Sequence, residues 1–328
     1  MEDILDMFSD MSNNEKNHRN VVLVDVSYFA QRAFHGYFRS NEKVCHVSMR
    51  YTLLYTLLNR FKQLNISPMT HRIVFCYDGK NYWQKVIAPY YKCRRKEKRR
   101  DGKDWEGFAN SMKSLRDELI EYFPFTVLYI DDVQWYNENT QTYHRSGLEA
   151  DDVIGILSKR LTSEDRNVIV MTGDGDFTQL DYLPNLKIIG YDGGEIKAEH
   201  GCGTFDLIHK IVNGDAKDDV ANINMRSNYW ETKMDGERQI SAKELARSIC
   251  DVEDPFTLLT PEQSERYIEN RILKDFNYIP KEMVEYVNKV YDEYDVNHNG
   301  KFRELFLDLQ VKDEIIQDNL VDLIEKVL

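Results

Sequence analysis

Four short, near-continuous apolar runs stand out along the chain: Val21–Val26, Arg72–Tyr77, Thr126–Ile130 and Asn167–Thr172. Because they do not alternate with polar residues, they predict strands buried on both faces, as in a parallel sheet covered by helices on each side. Leu186–Gly190 adds a candidate edge strand. The intervals between runs are of helix length, with helices predicted over Val47–Gln63, Asp104–Phe123 and Glu149–Thr162. In the second of these, Asp104 is placed to cap, and Phe108, Met112, Leu115, Leu119 and Phe123 recur at helical spacing. Alternating strands and helices predict an α/β fold with a central, mainly parallel sheet and right-handed crossovers. After about Thr204 the strand signals stop and helices are predicted over Ala242–Cys250, Pro261–Asp275 and Pro280–Asp292. The pattern divides the chain near residue 203, into an α/β domain (21–203) and a smaller all-helical domain (204–328). Residues 1–20 lack core-forming periodicity and read as a mobile acidic tail.

Composition narrows the setting. At 328 residues, 42% hydrophobic and 30% charged, the chain is a globular protein with no stretch near the roughly 20 apolar residues a membrane span needs. The start has no basic segment followed by an apolar run, so no secretory signal is expected. Five scattered cysteines (Cys45, Cys76, Cys93, Cys202, Cys250) form no CxxC pair, which argues against a zinc site or disulfide framework and for a reducing cytoplasm. Nothing suggests more than a monomer. The net charge of −13 counts against a nucleic-acid partner only if the charge is evenly spread, and it is sharply segregated.

The acids gather at the ends of the predicted strands. Asp25 closes the first, Asp78 follows the second, and Asp174 and Asp176 follow the fourth. Glu149, Asp151 and Asp152 open the helix before that fourth strand. In an open α/β sheet the carboxyl ends of the strands converge where ligands bind. Acids brought together there repel one another and call for cations. Carboxylate and water oxygens suit Mg²⁺, with Mn²⁺ a substitute. So many carboxylates predict two ions, about 4 Å apart in phosphoryl-transfer sites, one to activate water and one to stabilise a leaving 3′-oxygen. Each acid alone has a plainer reading as a turn or helix cap, and Glu149-Ala-Asp-Asp alone reads as a charged first helical turn. On an ideal helix Glu149 shares a face with Asp152 and not with Asp151, so Glu149 and Asp151 can share an ion only if Glu149 sits where the helix begins.

A basic counterpart lies between the second strand and the Asp104 helix. Lys92–Lys103 carries eight basic residues in twelve against two acids, preceded by Tyr82, Trp83, Tyr90 and Tyr91. Alone it is a solvated loop or surface helix. Above an acidic pocket, with aromatics beside it, it is suited to gripping a single strand by stacking and phosphate contact, with strong salt dependence.

Taken in order, these motifs resemble the flap endonuclease and 5′→3′ exonuclease family, which is built on a PIN-like nuclease domain. The matching residues are VLVDVS at Asp25, CYDGKNYW at Asp78, and Tyr91-Lys92-Cys93-Arg94-Arg95 for the family's Tyr-Lys-x-x-Arg. Glu149-Ala150-Asp151-Asp152, Asp174-Gly175-Asp176-Phe177-Thr178-Gln179-Leu180 and Gly214-Asp215-Ala216-Lys217-Asp218-Asp219 complete the set. The last departs from the family's Gly-Asp-x-x-Asp-Asn by a final Asp. The long acidic head, GDFTQL and Gly236-Glu237-Arg238 are similar to the RNase H branch found in T-even-type phages. The resemblance implies a hydrolase of DNA replication and repair. It would trim RNA primers and 5′-ended strands from branched or nicked DNA and RNA–DNA duplexes, leaving 5′-phosphate and 3′-hydroxyl ends. It further implies that Asp25, Asp78, Glu149, Asp151 and Asp174 surround a first metal and Asp176, Asp215 and Asp218 serve a second, with Asp152 beside them as a possible ligand or orienting group. Lys92 and Arg95 would meet the scissile phosphate and Tyr91 would stack on a base. Arg94, Lys96, Lys98, Arg99 and Arg100 would belong to an arch at about 90–104 over a single-stranded 5′ end, expected to be disordered without DNA. Val220–Glu237 lacks the glycine pattern with which cellular members hold duplex DNA, leaving the duplex-binding geometry open.

Smaller signals remain. Asp295-Val-Asn-His-Asn-Gly300 begins like a calcium-binding loop, but Phe306 stands where the bidentate Glu belongs, so a helix–helix turn is expected. Residues 2–10 are either a tail or a docking peptide for a sliding clamp; a single-strand DNA-binding protein is the other partner expected. Tyr229 and Trp230 are either core or, with Arg226, a duplex contact. The eight histidines share no spacing and take no catalytic part. Competing readings are a PIN-type ribonuclease of single-stranded RNA and a non-catalytic DNA-binding scaffold. A haloacid-dehalogenase-type phosphatase would need an acid where Ser27 stands.

Overall fold

A computed structural model describes residues 18–296 together with 323, 324, 326 and 327. The proposed docking peptide (2–10) and the calcium-loop-like stretch from residue 297 onward lie outside the described residues, as do the side chains of Lys96 and Lys98.

Five strands form one wholly parallel sheet: β1 (Asn20–Asp25), β2 (Arg72–Tyr77), β3 (Thr126–Tyr129), β6 (Asn167–Met171) and β7 (Leu186–Ile189), in the order β3-β2-β1-β6-β7. The chain winds outward from β1 to β3 and then restarts on β1's other side. The crevice between β1 and β6 is therefore the switch point where such sheets bind ligands. Side chains alternate between two cores. Val22, Val24, Ile73 and Phe75 face helices α1 (Val26–Tyr37), α2 (His46–Gln63) and α3 (Trp105–Tyr122), with Leu323, Ile324 and Val327 in the same core. Val21, Leu23, Val74 and Cys76 face α4 (Ala150–Ser163) and α8 (Lys281–Glu293).

Asp104 caps α3 as expected, accepting from Gly107 N at 3.0 Å. Elements not foreseen include two in this domain. Helix α1 follows β1 without a break because Asp25 is at once the last strand residue and the helix cap, and Phe29, Ala30, Ala33 and Phe34 form its buried stripe. An antiparallel hairpin, β4 (Val133–Asn137) with β5 (Thr142–Ser146), was hidden because only Val133, Trp135 and Asn137 of β4 alternate inward and β5 is largely exposed.

Beyond residue 203, α5 (Gly203–Asn213), α6 (Lys243–Cys250) and α7 (Pro261–Lys274) close a small core around Ile211, Val212, Ile223, Ala246, Ile249 and Tyr267. Helix α7 begins with a Thr260/Gln263 capping box and Pro261 in its first turn. Tyr229 is buried and Arg226 is held by Glu237, so this stretch is framework. Helix α8 does not stay with its neighbours but covers the second face of the sheet. There Arg72, from β2, donates to Tyr291 O at 2.7 Å and lies 3.7 Å over the Tyr291 ring. Among the described residues no helix is long and apolar enough to cross a membrane.

Met283, fully buried on α8, should therefore report on the whole sheet. Met283→Ala is expected to lower stability by about 2–5 kcal/mol in one cooperative urea transition. A separate early transition would show α8 to be an independent unit.

Candidate active site

The crevice is floored by acids whose backbones the fold fixes. Asp25 accepts from Tyr28 N at 3.0 Å and Thr172 Oγ1 at 2.8 Å, so it is held by both β1 and β6. Asp78 accepts from Ser27 Oγ at 2.7 Å and from Ala150 N at 2.9 Å. The second bond seats it on the N-terminus of α4, where a negative charge is favoured. Glu149 is the N-cap of that helix, paired with Asp152 in a capping box. The helix starts one residue later than predicted, and that offset frees Glu149 to face the same crevice as Asp151. Asp174 caps the 3-10 helix Gly175–Leu180. Next to it Gly173 lets the Tyr28 ring approach closely, since a Cβ there would come within 1.9 Å of that ring and force it to move.

These residues line a cleft of about 350 Å³, with Lys92 and Arg95 on one wall and Tyr28, Gln31, Arg32 and His35 of α1 on another. A second group adjoins it. Ligand atoms of Asp176, Asp215 and Asp218 lie within 4.8 Å of one another. The loop carrying two of them turns at Gly214, with φ of +74°. The eight acids assigned to two metals on resemblance are thus brought together in two adjoining groups.

Their electrostatics differ. Burial, opposed by the Tyr28 N–H and reinforced by Asp78 and Asp174, pushes the Asp25 carboxyl up from 3.8 to about 7. Burial, with Asp25 and Asp174, also pushes Asp151 well up. In the second group burial would do the same, but Lys274 and Lys210 outweigh it and hold Asp176 far below its ordinary value. Lys274 and Lys92 likewise depress Asp218.

Three assignments need correction. Asp152 turns away from the crevice; burial and Glu149 push it up to about 7, and its oxygens take Trp83 Nε1 at 3.1 Å, Gln84 Nε2 at 3.2 Å and its partner Glu149 N at 3.0 Å. It positions Glu149, and its oxygens are engaged by Trp83, Gln84 and the Glu149 backbone. Tyr91 is buried with its hydroxyl donating to Glu149 at 2.8 Å, so its ring is not available to a base. Arg94 is bound to Asp219 through Nε at 2.6 Å, to Ala216 O at 2.9 Å, and stacks 3.9 Å from the Trp230 ring. This explains the unexpected final Asp of the 214–219 motif. Asp219, at a left-handed φ of +61° that Asn or Asp tolerates, supplies the charge that ties down Arg94.

The basic segment is tied to the body at both ends. Lys92 N donates to Asp218 O at 2.9 Å, Ser40 Oγ to Asp101 O at 2.7 Å, and Lys103 Nζ to Phe38 O at 2.7 Å. Lys92 is buried against Glu149, with Asp218 at 3.4 Å; these carboxylates outweigh burial and hold its ammonium protonated. Arg95 stands 3.7 Å from Asp218 at the cleft. Arg99 lies 5.0 Å over Trp105, and Arg100 is exposed.

Sequence reading missed Lys210, Lys217 and Lys274, which reach Asp176, Asp174 and the second group. It also missed a cavity of about 500 Å³ beside Gly175, lined by Lys197, His200, His209, Lys210, Lys243 and Arg247. The only local signal was the i, i+4 spacing of Lys243 and Arg247 on α6; the others come from separate segments.

Two family models divide the chain between them: a 5′-3′ exonuclease N-terminal resolvase-like domain over residues 20–200 and a T4 RNase H C-terminal domain over 201–320. The chain belongs to the 5′-3′ exonuclease family. It is accordingly a nuclease and a hydrolase, as its strand-end acids imply. Ribonuclease H of Enterobacteria phage T4 is 32% identical over 304 residues, covering 91% of this chain and 94% of that protein. DNA polymerase I of Bacillus subtilis (strain 168) is 29% identical over 216 residues, 62% of this chain but 22% of the polymerase. The fold is shared with the bacteriophage T5 flap endonuclease, solved with DNA and metal ions, at a TM-score of 0.54 and 17% identity over 93% of this chain and 99% of that one.

The raised acids have a consequence for stability. Between pH 4 and about 7 the folded protein holds protons on Asp25 and Asp152 that the unfolded chain has released. Stability of the chelator-treated protein should therefore fall as pH rises through that window. The depressed Asp176 acts in the opposite sense, losing its contribution only below about pH 4. Thermal melts in EDTA from pH 4.5 to 7.5 test this. Asp25→Asn should flatten the decline, and a Tm that rises across the window would contradict the assignment.

Proposed function

We propose that this chain is a structure-specific 5′-nuclease that uses divalent metal to remove 5′-ended DNA or RNA strands from duplexes during replication and repair. The observation that carries the reading is the crevice itself, in which Asp25, Asp78, Glu149, Asp151 and Asp174 converge at the switch point beneath Lys92 and Arg95. The residues fit a metal: the donors are all carboxylate oxygens, burial and mutual repulsion raise Asp25 and Asp151, and Asp218 Oδ1 is buried without a hydrogen-bond partner. That donor set suits Mg²⁺ or Mn²⁺. Asp25, Asp78, Glu149, Asp151 and Asp174 would hold the first ion and Asp176, Asp215 and Asp218 a second. Bound Mg²⁺ supplies Lewis acidity at the phosphodiester and offsets its developing charge.

The chain's own groups do the rest. Arg95, aided by Lys92, meets the scissile phosphate and stabilises its growing negative charge. Tyr91, Lys92 and Asp152 hold Glu149 in place. Arg99 and Arg100, with Lys96 and Lys98, attract the single-stranded 5′ end; Gln31, Arg32 and His35 form the facing wall. Duplex backbone runs along the cavity at Lys197, Lys243 and Arg247, past Glu199 and Asp206, with the helical domain (204–328) serving as the DNA-binding part. Docking of residues 2–10 on a sliding clamp, and contact with a single-strand DNA-binding protein, complete the proposal on sequence grounds.

Cleavage of a 5′-labelled flap duplex and of a plain single strand, each with Mg²⁺ and with EDTA, tests the reading. Mg²⁺-dependent cutting near the duplex junction is expected; cutting indifferent to the duplex would favour a single-strand ribonuclease. Asp174→Asn and Asp151→Asn should each lower cleavage at least about a hundredfold while sparing DNA binding. Lys243→Ala with Arg247→Ala should weaken duplex binding and reduce its salt slope by about 0.9 per lost phosphate contact. An unchanged slope would remove the cavity from the duplex path.

A further inference from the structure

The second acid group is not an empty cradle. Lys274, the last residue of α7, is buried, and its Nζ lies 2.6 Å from Asp176 Oδ2 and 2.9 Å from both Asp215 Oδ2 and Asp218 Oδ2. An ammonium has three protons to donate, and here each has its own carboxylate oxygen. The lysine is held there by the segment that carries Asp176. Gln179 Nε2 donates to Lys274 O at 3.1 Å and to Asp176 O at 2.9 Å, while Gln179 Oε1 accepts from Phe276 N at 3.0 Å. One glutamine thus fixes acid and cation relative to each other. A flexible surface lysine that had wandered into an acidic patch would show neither the burial nor the clamp.

We propose that Lys274 is the resident cation of the second carboxylate group. The chain then holds one divalent ion tightly, in the group of Asp25, Asp78, Glu149, Asp151 and Asp174, and admits a second only by displacing the Lys274 ammonium. This deepens the two-metal reading and rests on it. Mg²⁺ needs oxygens about 2.0–2.1 Å away, and it cannot share the centre of Asp176, Asp215 and Asp218 with an ammonium already there. The charge balance points the same way. Lys274 and Lys210 already offset the second group, with Lys92 and Arg95 at its edge. In the first group Lys92 pairs with Glu149 and Lys217 with Asp174, while Asp25 and Asp78 accept from hydroxyls and backbone N–H groups, so no single ammonium sits at its centre as Lys274 does in the second. Lys274 is a positioning residue in this scheme: it keeps three buried carboxylates folded together until substrate and metal arrive.

Mn²⁺ titration of the full chain, counting bound ions by the electron paramagnetic resonance of free Mn²⁺, distinguishes the possibilities. The wild-type protein should bind one ion tightly and a second at least about tenfold more weakly. Lys274→Met, which keeps the stem and removes the charge, should tighten the second site at least about tenfold. Its metal-free Tm should drop and be restored by Mn²⁺ more than in the wild type. Two equal sites in the wild type, or an unchanged second site in Lys274→Met, would overturn the proposal. Failure of the wild type to bind any ion would instead sink the metal-dependent reading beneath it. Should Lys274→Met not fold, ¹⁵N-lysine NMR of the wild type decides. The Lys274 Nζ signal should stay put through the first equivalent of Mg²⁺ and shift during the second; a shift with the first equivalent would overturn the proposal.

Discussion

The mutual repulsion of carboxylates at one end of a parallel sheet is the constraint on which the rest of this molecule depends. Eight acids from the ends of three strands, a helix start and one loop meet beside β1, and burial makes each charge costlier. Every nearby feature answers that problem. Asp78 is placed against a helix N-terminus, Asp25 is bridged to β6 by Thr172, and Lys92, Lys210, Lys217 and Lys274 enter from separate segments. The result is a site in which lysines from separate segments offset acids of both groups.

Much of this was legible in the sequence because the sheet is buried on both faces. Strands such as Arg72–Tyr77 read as unbroken apolar runs, and their acidic ends declared themselves. Capping chemistry was equally legible at Asp104. What stayed hidden had long-range causes. Helix α1 was lost because the residue that ends β1 also begins the helix, leaving no turn signal between them. Lys274 looked like any basic residue at a helix C-terminus, where the macrodipole alone accounts for it. Tyr91 and Arg94 were misread for the opposite reason. Their local neighbourhood is that of a nucleic-acid grip, and only tertiary contacts with Glu149 and Asp219 show them to be braces. Local pattern identifies which residue types gather; it does not say which of them face the substrate.

The basic segment illustrates how the two halves of the family pattern depend on each other. Arg94 binds the loop after Gly214, and Lys92 bridges Glu149 towards Asp218. The cationic strap over the cleft is thereby fastened to both acid groups at once. A change in either group would be felt by the strap.

The return of helix Lys281–Glu293 to the sheet bears on how such a protein is made. Until that stretch has left the ribosome, Val21, Leu23, Val74 and Cys76 have lost half their cover, and Arg72 has no Tyr291 to close on. The strand-end acids are synthesised early, but the scaffold that aligns them is completed late. A growing chain therefore carries Asp25, Asp78, Glu149, Asp151 and Asp174 well before the helix that completes the sheet's cover has been made.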